Sequence, residues 1–288
     1  MELNLKSIPC LLLTALLFTG CSYSKDIPVP EPTAAENTIP PSPEYSVTPS
    51  HGEDAEQTHT PSEKPSEPSG TEEARQAKSS ALDGRIICVD AGHGINSKNF
   101  QEPIAPGSSE KKDAFASGTK GSVYTEEQLN LIVAKKLCVK LRALGADVRM
   151  TREEAQSDMS NVDRAEFANN ASADISVKIH ADGNNSSSVS GMSMLIPSAK
   201  FVGNEVAQKS RKLGALAEKA VAAKTGCRSR GLIERTDLTG FNWSKVPIIL
   251  IEMGFMTNPE EDRLLSSDAY QDKIVEGLTE GIVQYFAQ

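Results

Sequence analysis

The stretch IICVDAGHG, Ile86–Gly94, is where the fold becomes readable. Four apolar residues, Ile86 to Val89, run into Asp90 and then a turn of small residues around His93. A run rich in β-branched residues and closed by glycine predicts a buried strand, here Arg85–Val89, that delivers a histidine at its carboxyl end. Open α/β sheets bind their ligands at that end of the strands.

The same pattern recurs downstream. Asp174–Ile179 is an apolar run that ends in His180, and Val246–Ile251 is one that ends in Glu252. Ala146–Met150 and Gly191–Ile196 read as further strands, and Leu232–Arg235 as a short one. Between them lie helical patterns. Thr125–Ala143 opens on a capping box, with Thr125 as N-cap and Gln128 at N3, and Gly145 follows its end. Ser160–Ala171, Gly203–Thr225, Pro259–Leu265 and Asp268–Phe286 are the other expected helices. Helices alternating with apolar strands predict a three-layer αβα domain with a twisted, largely parallel but mixed sheet of about six strands. Residues 95–124 form a long polar stretch holding Pro103, Pro106, Gly107, Gly118 and Gly121. A loop of that length inside a compact domain is functional or flexible. It shows no helical period, so an open site is expected rather than one blocked by a helix.

Composition divides the chain. Of its 16 prolines, 10 lie between Ser22 and Ser80, where 11 acidic residues face 4 basic ones, a net of −7. The whole chain carries −9 and the first 21 residues are neutral, which leaves −2 for residues 81–288. A nearly neutral domain excludes a nucleic-acid binder, which needs a basic face. Residues 22–80 have almost no apolar periodicity and cannot offset ordering entropy, so they are expected to be a disordered tether ahead of the folded part, 81–288. His51 and His59 lie in the tether and carry no expectation.

Residues 1–21 show Lys6, the apolar run Ile8–Phe18 and then Thr19, Gly20 and Cys21. The run is too short to span a membrane and suits a signal peptide. The small residues before Cys21 resemble a bacterial lipobox, with Phe18 where Leu is commoner. The resemblance implies lipidation of Cys21 and a chain held on the outer face of the cytoplasmic membrane; an ordinary secretory signal and a secreted protein is the alternative. Cys88, Cys138 and Cys227 have no metal-type spacing and read as small buried residues, though one disulfide among them is open.

Residues 81–288 contain two histidines, His93 and His180, at equivalent strand ends. A charged group after the Glu252 run is costly unless it is paired or used. Glu126, in the first turn of its helix, is a further candidate, although acidic residues favour that position anyway. Two His and one carboxylate with an open fourth position suit a catalytic zinc, and a second carboxylate suits the base. Spacing alone leaves open which glutamate is which. There is no HExxH, GxSxG or Walker A motif.

VDAGHG, TEEQLNL, the TR of MTREE, DRAEFANNASADISVKIHADG and PIILIEMGFMTNPEED stand in order along the chain. In these landmarks the chain resembles the catalytic domain of zinc-dependent N-acetylmuramoyl-L-alanine amidases of the amidase-3 type, over about residues 85–286. The commoner DPGHGG is here DAGHGI, which removes no ligand. The resemblance implies one zinc held by His93, Glu126 (rather than Glu127) and His180, with Glu252 as the catalytic residue. It implies hydrolysis of the amide joining N-acetylmuramic acid to L-alanine in peptidoglycan, with Glu252 first taking the water's proton and then protonating the leaving amine. The same metal chemistry would serve a carboxypeptidase or endopeptidase of the stem peptide, and a wall-binding module without activity is the non-enzymatic alternative. Arg152 and Arg164 are candidates either to hold the peptide stem or to brace Asp90 or Asp163. Arg235, Asp237, Asn242 and Trp243 lie in ERTDLTGFNWSK, just before the Glu252 strand. Arg235 and Asn242 join Arg164 as candidate substrate contacts, and Trp243 either stacks on substrate or caps the core. A monomer is expected.

Overall fold

The structure is a computed structural model that describes residues 80–288. The leader, Cys21 and the tether up to residue 79 lie outside the described residues. The elements run β1 (Ile86–Ala91), β2 (Gln101–Pro103), β3 (Lys111–Asp113), α1 (Glu126–Ala143), β4 (Asp147–Met150), α2 (Asn161–Asn170), β5 (Ile175–Asp182), β6 (Met192–Pro197), α3 (Ala199–Thr225), β7 (Ser229–Arg235), α4 (Thr239–Asn242), β8 (Ile248–Phe255), α5 (Pro259–Leu265) and α6 (Asp268–Phe286). Six strands form one sheet in the order β4-β1-β5-β8-β6-β7. All neighbours are parallel except β6 and β8. The expected mixed αβα architecture is thus observed.

The strand period of two sorts residues onto the two faces of this sheet. On one face Ile87, Val89, Val177, Ile179, Ile249, Ile251, Met194 and Ile196 are buried under α1, α3 and α6 in a single large cluster. The other face is divided. Cys88 packs with Ala168 and Ala173 near α2, and Leu195, Ile248 and Leu250 pack with Phe241 of α4. Between these two patches the face carries Asp90, Lys178, His180 and Glu252 rather than apolar residues.

Three strands run at least two residues past their expected carboxyl ends, the first of them β1, which continues through Ala91 rather than ending at Val89. β5 continues through Asp182 and β8 through Phe255, because His180 pairs with Glu252 and, after a bulge, Asp182 pairs with Phe255. His180 and Glu252 therefore sit within paired strands and point from the face of the sheet, not from its edge. The long polar stretch contains a small hairpin, β2–β3, and α3 starts before the expected Gly203, with a break at that residue, whose φ is 79°. Cys88, Cys138 and Cys227 are all free. Burial pushes the Cys88 and Cys138 thiols up to about 12, so neither is a nucleophile at neutral pH. No helix among the described residues is long and apolar enough to cross a membrane.

α3 and α6 meet at backbone distance. A Cβ on Gly281 would stand 2.7 Å from Ala217 N and closer still to Ala217 Cα, and backbone cannot yield as a side chain does. Gly281→Ala is expected to lower unfolding stability by about 1–3 kcal/mol, read as a reduced midpoint in urea with an unchanged slope.

Candidate metal centre and groove

His93 follows β1 in a left-handed backbone conformation, φ 59°, which costs a non-glycine residue of order 1–3 kcal/mol. Two buried arginines hold it there. Arg164 donates from Nη2 to His93 O at 2.6 Å and from Nη1 to Ala91 O at 2.9 Å. Arg152 donates to Ala91 O, Gly92 O and Glu127 O at 2.9, 2.9 and 2.7 Å. Behind them lies Asp90, fully buried, which accepts from Arg164 Nη1 and Thr151 Oγ1 at 2.5 Å each and from Lys178. Burial opposes its charge, but Lys178 and Arg164 outweigh burial and hold the carboxyl well below the usual carboxylate range. Of the two bracing partners foreseen for Arg164, Asp90 is the one it meets; Asp163 instead accepts from Ser160 N in the N-terminal box of α2.

Glu126 enters from the first turn of α1. Thr125 N donates to Gln128 Oε1 at 3.0 Å, the expected capping contact, and the Thr125 hydroxyl takes Glu127 Oε1 at 2.6 Å. Glu127 is thereby held at the helix end and Glu126 turns inward. Its Oε1 lies 3.0 Å from His93 Nε2 and 3.1 Å from His180 Nδ1, and accepts from Asn130 Nδ2 at 3.2 Å and Ala181 N at 3.3 Å. Its Oε2 accepts from Thr119 N at 2.9 Å. The two imidazoles outweigh burial and hold the Glu126 carboxyl far below its ordinary value. Burial lowers His180, with the His93 and Lys178 charges adding to it and Glu126 opposing, whereas His93 is raised because Glu126 and Ala116 O outweigh its burial.

These groups fit a metal ion. His93 Nδ1 stands 2.8 Å from Ala116 O, a contact that requires its proton there and leaves the Nε2 lone pair facing Glu126. Three donor atoms, one each from His93, Glu126 and His180, lie within 4.8 Å of one another. Tetrahedral zinc with bonds near 2.05 Å separates its ligands by ~3.3 Å, close to the His–Glu spacings. The cradle has no room to spare. A Cβ on Gly92 would overlap the His180 ring, and one on Gly118 would stand 2.9 Å from Glu126 Cβ.

Glu252 lies beside His180 in the adjacent strand. Its Oε2 is buried without a hydrogen-bond partner. Burial, then the Glu126 and Asp182 charges, push its carboxyl well above the ordinary range, with Arg235 opposing. All four residues line a groove of about 1030 Å³. His93 and His180 keep 17% and 14% side-chain exposure where they line it. The 95–124 stretch forms one wall and reaches the centre through Ala116 O and Thr119 N.

The remaining candidates separate. Arg235 and Asp237 line the groove. Asn242 is buried and donates to Ile104 O and Thr236 O at 3.0 Å each, and Trp243 donates from Nε1 to Pro103 O at 2.9 Å, so both hold the hairpin against α4. All three guanidinium nitrogens of Arg164 are committed to Asp90 and backbone carbonyls. Three contributors were not singled out beforehand. Asn130 is one turn beyond Glu126 on the same helix face, Lys178 is one strand period before His180, and Asp182 one after. Helical and strand periods, applied to the ligands themselves, were signal enough.

A two-His, one-Glu donor set beside an unpaired acid, in an open groove on an αβα sheet, suits a single-metal hydrolase. Comparison with known proteins agrees. The Amidase_3 profile, N-acetylmuramoyl-L-alanine amidase, matches residues 87–284, and the chain belongs to that family of peptidoglycan-cleaving hydrolases. It is similar to the N-acetylmuramoyl-L-alanine amidase LytC of Bacillus subtilis, 29% identical over 75% of this chain but only 38% of LytC. It is 28% identical to the amidase AmiA of Escherichia coli, over 70% of this chain and 76% of AmiA. The crystal structure of the amidase Ami1 from Mycobacterium smegmatis aligns with a TM-score of 0.66 at 26% identity, covering 72% of this chain and 98% of that one.

Two substitutions test the brace and the cradle. Asp90→Asn leaves two buried cations short of a partner and is expected to cost about 3–5 kcal/mol at pH 7. The native carboxyl titrates below its unfolded value of about 3.9, so this contribution is complete above that value and is lost only as pH falls further toward the native one. Unfolding curves at pH 7 and 5 should show the same gap between wild type and variant, and a smaller gap at pH 3. Gly92→Ala, which drives the His180 ring aside, should weaken divalent-metal binding by about 10–100-fold in chelator competition while the circular dichroism spectrum is retained.

Proposed function

We propose that the chain hydrolyses the amide between N-acetylmuramic acid and L-alanine in peptidoglycan as a zinc enzyme, with His93, Glu126 and His180 as the metal ligands and Glu252 as the proton carrier. The observation that carries this reading is Glu252, a groove-lining carboxyl with one buried, partnerless oxygen, one strand from a convergent donor set. Zinc held by those donors supplies Lewis acidity toward the amide carbonyl and the attacking water.

The protein's own residues do the rest. Glu252 accepts a proton as water adds to the carbonyl carbon and returns it to the departing nitrogen as the carbon–nitrogen bond breaks, which leaves a lactyl carboxylate and the free amine of L-alanine. With no hydrogen bond to its Oε2, Glu252 has no competing partner for that proton. Ala116 O sets the tautomer of His93, and Thr119 N and Asn130 fix the Glu126 carboxylate. Arg152 and Arg164 act on the reaction by holding main-chain carbonyls, those of residues 91–93 and, for Arg152, that of Glu127 beside Glu126. We further propose that the chain works at the cell envelope, tethered through a lipidated Cys21, a reading supported by the lipobox-like leader.

Digestion of peptidoglycan by the chain should release stem peptides with a free N-terminal alanine and leave the glycan intact; shortened stems still attached to glycan would instead indicate a peptidase. Chelation should abolish release and zinc should restore it. Glu252→Gln should lower kcat by about 10²–10⁴-fold with zinc content unchanged, and release at the wild-type rate by that variant would remove Glu252 from the mechanism.

A further inference from the structure

The groove is electrically lopsided. At the metal-ligand end stand Glu126, Glu252 and Asp182. Away from it stand Arg235 and Lys112, over a floor that includes Leu195, Leu250 and Phe241. Arg235 grips Asp237 with both Nε and Nη2 at 2.7 Å. Lys112 reaches the same residue from the hairpin, donating to Asp237 O at 2.6 Å with its Nζ 3.9 Å from Oδ2. Two cations thus share the Asp237 carboxylate, and with Asp113 beside Lys112 this wall is charge-balanced, whereas the metal-ligand end carries acids alone among these groups. The bidentate grip fixes the guanidinium plane and turns Nη1 to other use. At 35% and 44% side-chain exposure, Arg235 and Lys112 are both open to a ligand.

The spacing suits a peptide. Glu252 pairs with Ser193 on β6, and Arg235 pairs with Pro197 on the same strand. Four residues of strand are about 13 Å and the two steps from β8 across β6 to β7 add about 10 Å sideways, roughly 16 Å between the two backbones, of which the Arg235 side chain spans part, since its charge is felt at Glu252. One or two extended residues of about 3.5 Å each cover the rest.

We propose that Arg235, clamped by Asp237 and flanked by Lys112, anchors a free carboxylate on the peptide stem of the substrate, so that the groove favours stems bearing that carboxylate over amidated ones. This specificity rests on the amidase reading above. The acidic groups at the opposite end repel the same carboxylate, so the charge pattern also fixes which way the stem lies.

Binding is measured on the zinc-loaded Glu252→Gln chain with N-acetylmuramoyl-L-alanyl-D-glutamate blocked as its γ-methylamide, which keeps one free carboxylate, and with the γ-methylamide of N-acetylmuramoyl-L-alanyl-D-isoglutamine, which keeps none. The carboxylate should bind about tenfold more tightly, the size expected of one exposed charge-assisted hydrogen bond, and the preference should shrink at high salt. Adding Arg235→Gln should bring the ratio of the two Kd values to about one. Lys112→Gln, on an exposed side chain, should reduce the ratio severalfold and serves if the arginine variant does not fold. Equal affinities in the starting chain, or a preference that survives both substitutions, would overturn the proposal. A purely structural Arg235–Asp237 pair would alter both affinities together and leave their ratio unchanged. Cleavage of the two probes by the wild-type chain is scored separately: no release from either sinks the amidase reading, while the Kd ratio still decides the anchor.

Discussion

Asp90 is the residue on which the site depends. A carboxylate at the end of a fully buried strand is tolerable only because Arg164 and Lys178 converge on it. Once drawn in, Arg164 is close enough to grip the carbonyls of Ala91 and His93 as well. Those bonds, with the ones from Arg152, hold His93 in a left-handed conformation that an isolated histidine would seldom adopt. One buried charge therefore recruits the cations that shape the turn after β1, and the turn aims the first donor. A site built on such a brace is preorganised: the cost of ordering the ligands falls on folding, not on metal capture.

The sheet makes this affordable by dividing its labour between faces. The apolar cluster under α1, α3 and α6 carries the stability, with α3 and α6 at backbone contact through Gly277 and Gly281. Relieved of that task, the opposite face can bury an ion cluster and leave a carboxylate oxygen without a partner, both of which an apolar core would exclude.

Much of this was legible in the chain itself. The β-branched runs marked β1, β5 and β8, the capping box marked α1 and turned Glu126 inward, and paired histidines after apolar runs pointed to a donor set. The position of the groove was not legible. His180 and Glu252 read as strand ends, because a histidine and a glutamate stop an apolar pattern. Backbone pairing ignores that change and carries both strands onward, so the donors emerge from the sheet's face. The role of residues 95–124 was hidden for a related reason. Its contributions to the centre are a carbonyl at Ala116 and an amide at Thr119, main-chain groups that leave no mark in residue type.

Glu252 can be understood only in the field of its neighbours. Burial raises its proton affinity first, and Glu126 and Asp182 raise it further. Glu126 is the better compensated, by two imidazoles, Thr119 N, Ala181 N and Asn130, and by its position at the positive end of α1. A divalent cation held beside His180 pulls in the opposite direction, as does the more distant Arg235. These opposed influences act on a carboxyl that the proposed mechanism makes both acceptor and donor of a proton. The partnerless oxygen of Glu252 fits its proposed role, because each hydrogen bond donated to the carboxylate would favour its ionised form. The lopsided charge of the groove has the same origin. On the proposed reading, the acidic end would repel an anionic stem, and the clamped Arg235 would offer that stem a counter-charge at a distance where it moderates the acid without pairing with it.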